Sequence, residues 1–236
     1  MIAVGRKFDL TEPNLTKKLA RFADIAKFEN CIEVPNAYEI KGFRLFGKWA
    51  TDHFKNDNPI TLELACGKGE YSLGQGEMYP DRNFIGLDIQ GNRLWQGAKK
   101  ALDQGLSNVA YLRTRIDHIT SLFDKNEVDE IWITFPDPQI KYRRTKHRLT
   151  NADFLKKYHT VLKDKGVVNL KTDSEFMHGY TLGLLHGEGH EILHANHDVY
   201  KNTYSPEEVI STQTFYEKQY LEQGKPITFI KFRINY

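Results

Sequence analysis

From Asn58 onward the chain alternates strand-type with helix-type segments, and this alternation restricts it to one fold class. Runs rich in Val, Ile, Leu and Phe favour strands over residues 59–65, 83–89, 108–114, 128–135, 167–172, 191–195 and 228–234. Segments with helical spacing begin at about residue 71 and then cover 91–104, 116–123, 154–162 and 176–185. Strands and helices in this order are joined by crossovers into a parallel sheet. We therefore predict an α/β, Rossmann-like fold with a mostly parallel seven-stranded sheet, helices on both faces and an antiparallel final strand.

Residues 1–57 precede this alternation and predict a helical or irregular N-terminal arm, packed on a main domain of residues 58–236. Leu15 to Phe28 has helical spacing, and Phe43 to Phe54 is compatible with a second short helix. The basic side chains of the first segment are either a solvated helix face or a contact to a substrate.

Composition excludes several classes of protein. A chain of 236 residues with 12% aromatic and 27% charged residues is long enough to bury a substantial core, and its composition is that of a folded protein. The net charge of +2 leaves any contact with a polyanion to a local patch. Cys31 and Cys66 provide neither a disulfide framework nor the spacing of a metal site. No apolar run reaches the roughly 18–20 residues of a membrane span, and Met1 to Leu10 lacks a signal-peptide core, so we expect a soluble cytoplasmic protein.

The most informative short stretch is a carboxylate between two prolines, Pro136-Asp137-Pro138, after the fourth strand-type run. Proline fixes its own φ and favours extended backbone before it, so this turn should stop the strand and hold Asp137 rigidly. A basic loop follows, with its cations at Lys141, Arg143, Arg144, Lys146 and Arg148. A rigid carboxylate beside dense positive charge suits a nucleic acid, which has hydrogen-bond donors near phosphates. An ordinary turn followed by a solvated charge run is the alternative.

Acidic residues end several predicted strands, at Glu63, Asp88, Asp137 and Asp173. Ligands of such sheets bind beyond the carboxyl ends of the strands, so these groups should converge on one rim. The turn Gly67-Lys68-Gly69 lacks the third glycine of a dinucleotide fingerprint and is flanked by acids, which disfavours a pyrophosphate. A cation with a ribose diol fits an acidic rim better, so we predict S-adenosylmethionine as the cofactor.

These motifs together resemble the bacterial tRNA (guanine-N7)-methyltransferase family. The similarity is carried by Asn56 to Ile60, Glu63 to Gly69, Asn83 to Asp88, Phe135 to Pro138, Lys146 to Thr150, Leu170 to Asp173 and Thr214 to Glu217. The resemblance implies a class I methyltransferase fold. It also implies transfer of a methyl group from S-adenosylmethionine to N7 of a guanosine in the variable loop of tRNA, expected at position 46.

The resemblance implies roles for single residues as well. Asp137 would be the catalytic residue, between cofactor and base. The expected cofactor-binding residues are Glu63, Gly67, Gly69, Asp88, Arg115, Ile116 and Asp137. By the same resemblance, the substrate side would be lined by Lys141, Asp173, Thr214 and Glu217. The cations of the basic loop are expected to bind tRNA phosphates, which adds Lys141, Arg143, Arg144, Lys146 and Arg148 to the substrate-binding residues.

Two positions depart from the family pattern. Arg115 stands where the family usually has an acid for the adenine amino group, which leaves Asp117 or the backbone near Ile116 for that contact. Gln139 stands where the family usually has Trp, which leaves Tyr142 or Trp132 as a replacement stacking surface.

Other functions stay open at this point. A non-catalytic tRNA-binding module on the same scaffold is the main alternative, since fold does not fix function; the basic loop disfavours a small-molecule methyltransferase. His147 is either a solvated loop residue or an RNA contact, and Cys66 is expected to be a packing residue. We expect no metal, because helix–loop–strand placement should separate the late histidines, which are His186, His190, His194 and His197. We expect the protein to be a monomer or a homodimer.

Overall fold

The computed structural model describes residues 13–34, 40–202 and 204–236. Eight strands in these ranges form one sheet, in the order β1-β4-β3-β2-β5-β6-β8-β7. The strands are β1 (Cys31–Glu33), β2 (Ile60–Leu64), β3 (Asn83–Asp88), β4 (Val109–Arg113), β5 (Val128–Thr134), β6 (Leu162–Thr172), β7 (Glu191–Asn196) and β8 (Thr228–Arg233).

Helices connect these strands. They are α1 (Pro13–Ile25), α2 (Glu70–Met78), α3 (Gly91–Asp103), α4 (Ile119–Leu122), α5 (Ala152–Val161), α6 (Glu175–Gly187), α7 (Glu207–Ile210) and α8 (Phe215–Glu222). Shorter helical turns occur at Trp49–Phe54, Ile116–His118 and Tyr142–His147. Side-chain caps fix several starts: Asn151 accepts from the Phe154 amide at 2.9 Å, and Ser174 accepts from the Met177 amide at 3.2 Å.

The predicted fold class is confirmed. Strands β1 to β6 run parallel to one another, and β8 lies antiparallel to both β6 and β7. The strand number differs, because β1 adds an eighth strand at the edge beside β4. That strand covers only Cys31–Glu33, which is too short to show a period-two pattern in the sequence.

The N-terminal region contributes to the same core as the rest of the chain. Val34, Leu45 and Trp49 belong to the large apolar cluster formed under the sheet by β2, β5 and β6. Helix α1 packs on α3, where the Trp95 indole donates to Asp24 at 2.9 Å. The second predicted helix is helical only at Trp49–Phe54, and residues 1–12 and 35–39 of the predicted arm lie outside the described residues.

The strand order reverses at β2, which lies between β3 and β5. Leu64 at the end of β2 pairs with Leu87 on one side and Ile133 on the other. The turns that follow these strands therefore meet at one crevice, which is where ligands of open α/β sheets bind. In the part of the chain that is described, no helix combines the length and the apolar character needed to cross a membrane.

Candidate active site

The glycine turn after β2 is built to let a ligand approach the backbone. Gly67 and Gly69 both have positive φ, at 59° and 69°. A Cβ at Gly69 would overlap the ring of Tyr111, whereas a Cβ at Gly67 would meet nothing within 4 Å. Gly69 is thus required by packing, and Gly67 faces open space.

Asp88 holds this turn in place and keeps acceptor capacity. Its carboxylate accepts from the Gly67 amide at 2.9 Å and from the Gln90 amide at 2.8 Å. The side chain is half-buried at the end of β3. Each carboxylate oxygen has further lone pairs, so Asp88 can still accept from a ribose diol.

A pocket of about 260 Å³ opens beside Asp88, and its chemistry suits a nucleoside. The Thr114 hydroxyl is buried at its wall and has no hydrogen-bond partner among the described residues. A buried polar atom without a protein partner is uncommon and marks a position where a ligand or a water can bind. The full lining is Ala65, Asp88, Ile89, Thr114, Arg115, Ile116, Asp117, His147, Leu149 and Phe154. The apolar members can cover an adenine while Asp88 and Thr114 provide polar contacts, so the residues present fit S-adenosylmethionine.

Arg115, which departs from the family pattern, pairs with a neighbouring acid. Its guanidinium lies 3.0 Å from the Asp117 carboxylate, and both side chains are about half exposed. Both residues line the pocket together with Ile116. A contact between Asp117 and the adenine stays a prediction.

Glu63 lies beneath the glycine turn and is almost completely buried, with 3% of its surface exposed. One carboxylate oxygen accepts from the Ser72 amide at 2.9 Å and its hydroxyl at 2.6 Å, and the other accepts from the Thr134 hydroxyl at 2.7 Å. Burial outweighs these hydrogen bonds and raises the pKa of Glu63 to about 7. Direct contact between Glu63 and the cofactor stays a prediction.

The proline-flanked turn presents Asp137 to solvent. Strand β5 ends at Thr134, one residue before the predicted end, because Phe135 adopts a left-handed φ of 48°. The Phe135 amide is held by the Lys171 carbonyl at 2.8 Å, and the exposed Asp137 accepts from the Gln139 amide at 3.0 Å. The turn therefore fixes Asp137 at the rim with most of its acceptor capacity free.

The basic loop forms a hollow of about 540 Å³ lined by Lys141, Arg143, Arg144, Lys146 and His147. His147 lines the nucleoside-sized pocket as well, so the two depressions adjoin. The four cations that line the hollow are exposed. Their position is compatible with the predicted phosphate contacts.

Arg148 has a different position from the other cations of the loop. It is 6% exposed, and its guanidinium donates to the carbonyls of Gln139 and Ile140, each at 3.2 Å. It also lies over the rings of Phe176 and Tyr180. This placement corrects the expectation of a phosphate contact: Arg148 ties the loop to the protein because its side chain turns inward.

The three remaining substrate-side candidates also separate by burial. Asp173 is half-buried near Lys225, with 3.5 Å between their charged groups. Thr214 is 8% exposed and caps α8. Glu217 is completely buried and pairs with Lys171 at 2.6 Å, so its place does not match the predicted contact with substrate. Burial lowers the pKa of Lys171, although the Glu217 carboxylate opposes the shift.

The two residues proposed as a replacement stacking surface differ in their exposure. Trp132 is 2% exposed and packs between Tyr71 and Phe229 in the core, so it cannot replace the missing Trp. Tyr142 is 93% exposed on the basic loop and remains available.

Sequence reasoning missed several residues that shape the site. Thr114 and Ser72 gave no signal beyond being polar residues beside predicted strand or turn positions. Lys171 did give one, because a lysine inside an apolar strand implies a buried acidic partner. Across the described ranges no three His, Cys, Asp or Glu side chains are grouped to hold a metal ion.

The reversed strand order, the glycine turn and the acidic strand ends define the Rossmann-like fold of S-adenosylmethionine-dependent methyltransferases. Among solved structures the chain is similar to the 16S rRNA methyltransferase KamB, with a TM-score of 0.60 and 12% sequence identity. The similarity covers 80% of this chain and 93% of that one, and at this identity it shows the fold alone.

Sequence comparison narrows the class to a family. A family model described as "Putative methyltransferase" matches residues 57–230. A tRNA (guanine-N(7)-)-methyltransferase of Christiangramia forsetii is 64% identical, over 92% of this chain and 97% of that protein. A second one, of Bacteroides fragilis, is 44% identical over 91% of this chain and 84% of that protein. The chain belongs to the tRNA (guanine-N7)-methyltransferase family, as its motifs indicated.

Proposed function

We propose that the protein transfers a methyl group from S-adenosylmethionine to N7 of a guanosine in tRNA, at position 46 of the variable loop. The observation that carries the proposal is the junction at His147, where the basic hollow adjoins the nucleoside-sized pocket. Exposed Asp137 begins the loop that forms this junction. The two similar proteins named as tRNA (guanine-N(7)-)-methyltransferases support tRNA as the partner.

Methylation of guanine N7 depends on the relative position of the two reactants more than on proton transfer. Guanine N7 carries an in-plane lone pair, so no general base is needed to create the nucleophile. When bound, S-adenosylmethionine supplies an electrophilic methyl group on a sulfonium. The task of the protein is to hold N7 in line with that methyl group, which is catalysis by proximity and orientation.

The cofactor would lie between the glycine turn and the pocket beside β3. Asp88 would accept from the ribose hydroxyls, and Thr114 would gain the partner that its buried hydroxyl lacks. Gly67 leaves room for the methionine part, and Asp117 or the backbone at Ile116 would meet the adenine.

Asp137 is the proposed catalytic residue because it is exposed and fixed at the rim. Its carboxylate can accept from the Watson–Crick donors of guanine, which adenine does not present in the same pattern. The purine gains positive charge as the methyl group is transferred, and the carboxylates of Asp137 and Asp173 would stabilise that charge. The two residues follow adjacent strands, since Thr134 pairs with Lys171.

The basic loop would hold the phosphates near the target. A variable-loop guanosine has to leave its tertiary contacts to reach the cofactor, and this costs unstacking energy. Contacts from Lys141, Arg143, Arg144 and Lys146 would offset that cost. Tyr142, exposed among them, offers a ring on which an unstacked base can lie.

The decisive experiment is methyl transfer from labelled S-adenosylmethionine to an unmodified tRNA transcript, followed by nucleoside analysis. We expect N7-methylguanosine in the wild-type transcript and none when guanosine 46 is replaced by adenosine. Label in both transcripts would contradict the position but not the reaction. No transfer to a tRNA that binds would favour the non-catalytic module instead.

We also propose a cytoplasmic location, because the proposed substrate, tRNA, is found there. We propose that the protein is a monomer or a homodimer, and sedimentation of the protein with and without tRNA would distinguish the two states.

A further inference from the structure

Lys171 and Glu217 form a completely buried ion pair between strand β6 and helix α8. The Lys171 Nζ lies 2.6 Å from Glu217 Oε1, and neither side chain is exposed at all. The ammonium also donates to the backbone carbonyls of Val209 and Thr212. One lysine therefore ties β6 to the segment that leads into α8.

The carboxylate of Glu217 is fully engaged inside the protein. Its Oε1 accepts from the Tyr200 hydroxyl at 2.6 Å in addition to Lys171. Its Oε2 accepts from the Thr214 amide at 3.4 Å, while the Glu217 amide donates to the Thr214 hydroxyl at 3.2 Å. This capping box satisfies the start of α8 and leaves no face of Glu217 for a substrate.

The start of α8 is fastened at its other side to the glycine turn. The Phe215 amide donates to the Glu70 carboxylate at 2.9 Å, and the Lys68 ammonium lies 4.0 Å from the centre of the Phe215 ring. Lys68 and Glu70 flank Gly69 in the turn. The buried pair is therefore linked through about one helical turn to the backbone that faces the cofactor.

The pair reaches the substrate side as well. Lys171 precedes Thr172 and Asp173 at the end of β6, and its carbonyl holds the Phe135 amide next to the proline-flanked turn. Phe215 and Tyr216, at the start of α8, are 46% and 41% exposed. Lys171 thus contacts the Asp137 turn and lies two residues before Asp173, while its partner Glu217 belongs to the helix whose start contacts the glycine turn.

We propose that Lys171 and Glu217 are positioning residues, which lock the start of α8 against the glycine turn and β6 so that cofactor and base meet in line. Glu217 acts through Lys171 and does not touch tRNA. The inference rests on the proposed function for its kinetic test. Its structural part holds for any ligand of the glycine turn.

A double-variant cycle tests this proposal. The variants are Glu217→Gln, Lys171→Met and the two combined, assayed for tRNA methylation at a temperature where each is folded. Residues that work as one unit give non-additive effects. We expect each single change to lower kcat about tenfold to hundredfold. The kcat of the double variant should lie within about twofold of that of the single variant with the lower kcat.

A matched control separates positioning from stability. Glu130 is another buried acid, paired with Arg82 at 2.6 Å on β5 near the amino ends of the strands. Glu130→Gln should lower the Tm but leave kcat within about twofold of wild type, since a rigid site tolerates distant loss of stability. If a single variant fails to fold, the kcat of the double variant still tests the positioning role. The double variant should fold more readily, because it leaves no unpaired charge in the protein interior.

Distinct results would overturn the proposal. If the two decreases in kcat multiplied in the double variant, or if only Glu217→Gln lowered kcat, Glu217 would contact the substrate. A kcat in the folded double variant equal to wild type would show that the pair serves stability alone.

Binding of S-adenosylhomocysteine and hydrogen exchange over Phe215–Glu222 complete the test without requiring activity. We expect weaker binding and faster exchange in Glu217→Gln, but not in Glu130→Gln. If the wild-type protein methylated no tRNA, the proposed function would fail, and these two measurements would still support or reject the positioning role.

Discussion

The buried carboxyl group of Glu63 gives the sharpest quantitative expectation. Burial raises its pKa from 4.5 to about 7. One pKa unit corresponds to about 1.4 kcal/mol, so ionising Glu63 in the folded protein costs about 3 kcal/mol more than in the unfolded chain. Between these two pKa values the folded state binds one more proton than the unfolded chain. The contribution of Glu63 to the free energy of unfolding is therefore fully present below pH 4.5 and is lost as the pH rises through about 7.

Glu63→Gln removes this titration while keeping the shape of the side chain. The amide oxygen can accept from Ser72, and the amide nitrogen can donate to the Thr134 hydroxyl. We expect the free energy of unfolding of the variant, relative to wild type, to rise by about 2 to 3 kcal/mol between pH 5 and pH 8. Urea denaturation at several pH values measures it, and taking the difference cancels the titration of all other groups.

A difference that stays constant with pH would refute the reasoning that burial dominates at Glu63. The same experiment with S-adenosylhomocysteine tests the predicted contact with the cofactor. An ammonium group close to Glu63 favours the ionised carboxylate, so the ligand should flatten the pH dependence of the wild type. An unchanged slope would place Glu63 beneath the cofactor without contact.

Four further variants test the site. Asp137→Asn should lower methyl transfer about a hundredfold or more while S-adenosylhomocysteine affinity changes less than about twofold, and normal turnover would disprove the catalytic assignment. Thr114→Val should leave the Tm unchanged or higher, because the hydroxyl has no partner, but weaken S-adenosylhomocysteine binding by up to about tenfold in calorimetry. Arg144→Ala should flatten the slope of log tRNA affinity against log salt by roughly one unit or less at constant Tm. Arg148→Ala should instead lower the Tm, and equal behaviour of the two arginine variants would contradict their different burial.

The fold could be predicted because its signal is local. Apolar runs, helical spacing and turn residues each depend on near neighbours in the chain, and they located the strands from β2 to β8, although β6 begins at Leu162 and not at the predicted residue 167. Elements without such a signal were missed. Strand β1 is too short, and α8 has its apolar residues spread around its circumference, so that packing and the Thr214 cap determine it.

The site was predictable as a set of positions but not as a set of roles. Strand ends identify which residues converge, because the parallel order fixes one rim. Exposure depends on what packs above each residue, which the sequence does not show. Arg144 and Arg148 look alike in the chain, yet the second turns under Gln139. Asp137 and Glu217 are both acids of family motifs, yet the first is exposed and the second is sealed in an ion pair.

Backbone conformation explains how the crevice is shaped. Ala65 and Phe135 follow the adjacent strands β2 and β5, and both adopt left-handed φ values, of 58° and 48°. Such a conformation costs a non-glycine residue about 1 kcal/mol or more, so surrounding contacts have to impose it. The next amide after Ala65, that of Cys66, is held by the Leu87 carbonyl at 3.0 Å, and the Phe135 amide by the Lys171 carbonyl at 2.8 Å. The cofactor turn and the Asp137 turn are thus bent by hydrogen bonds to their neighbouring strands, and a reaction that needs alignment more than acid–base chemistry benefits from that rigidity.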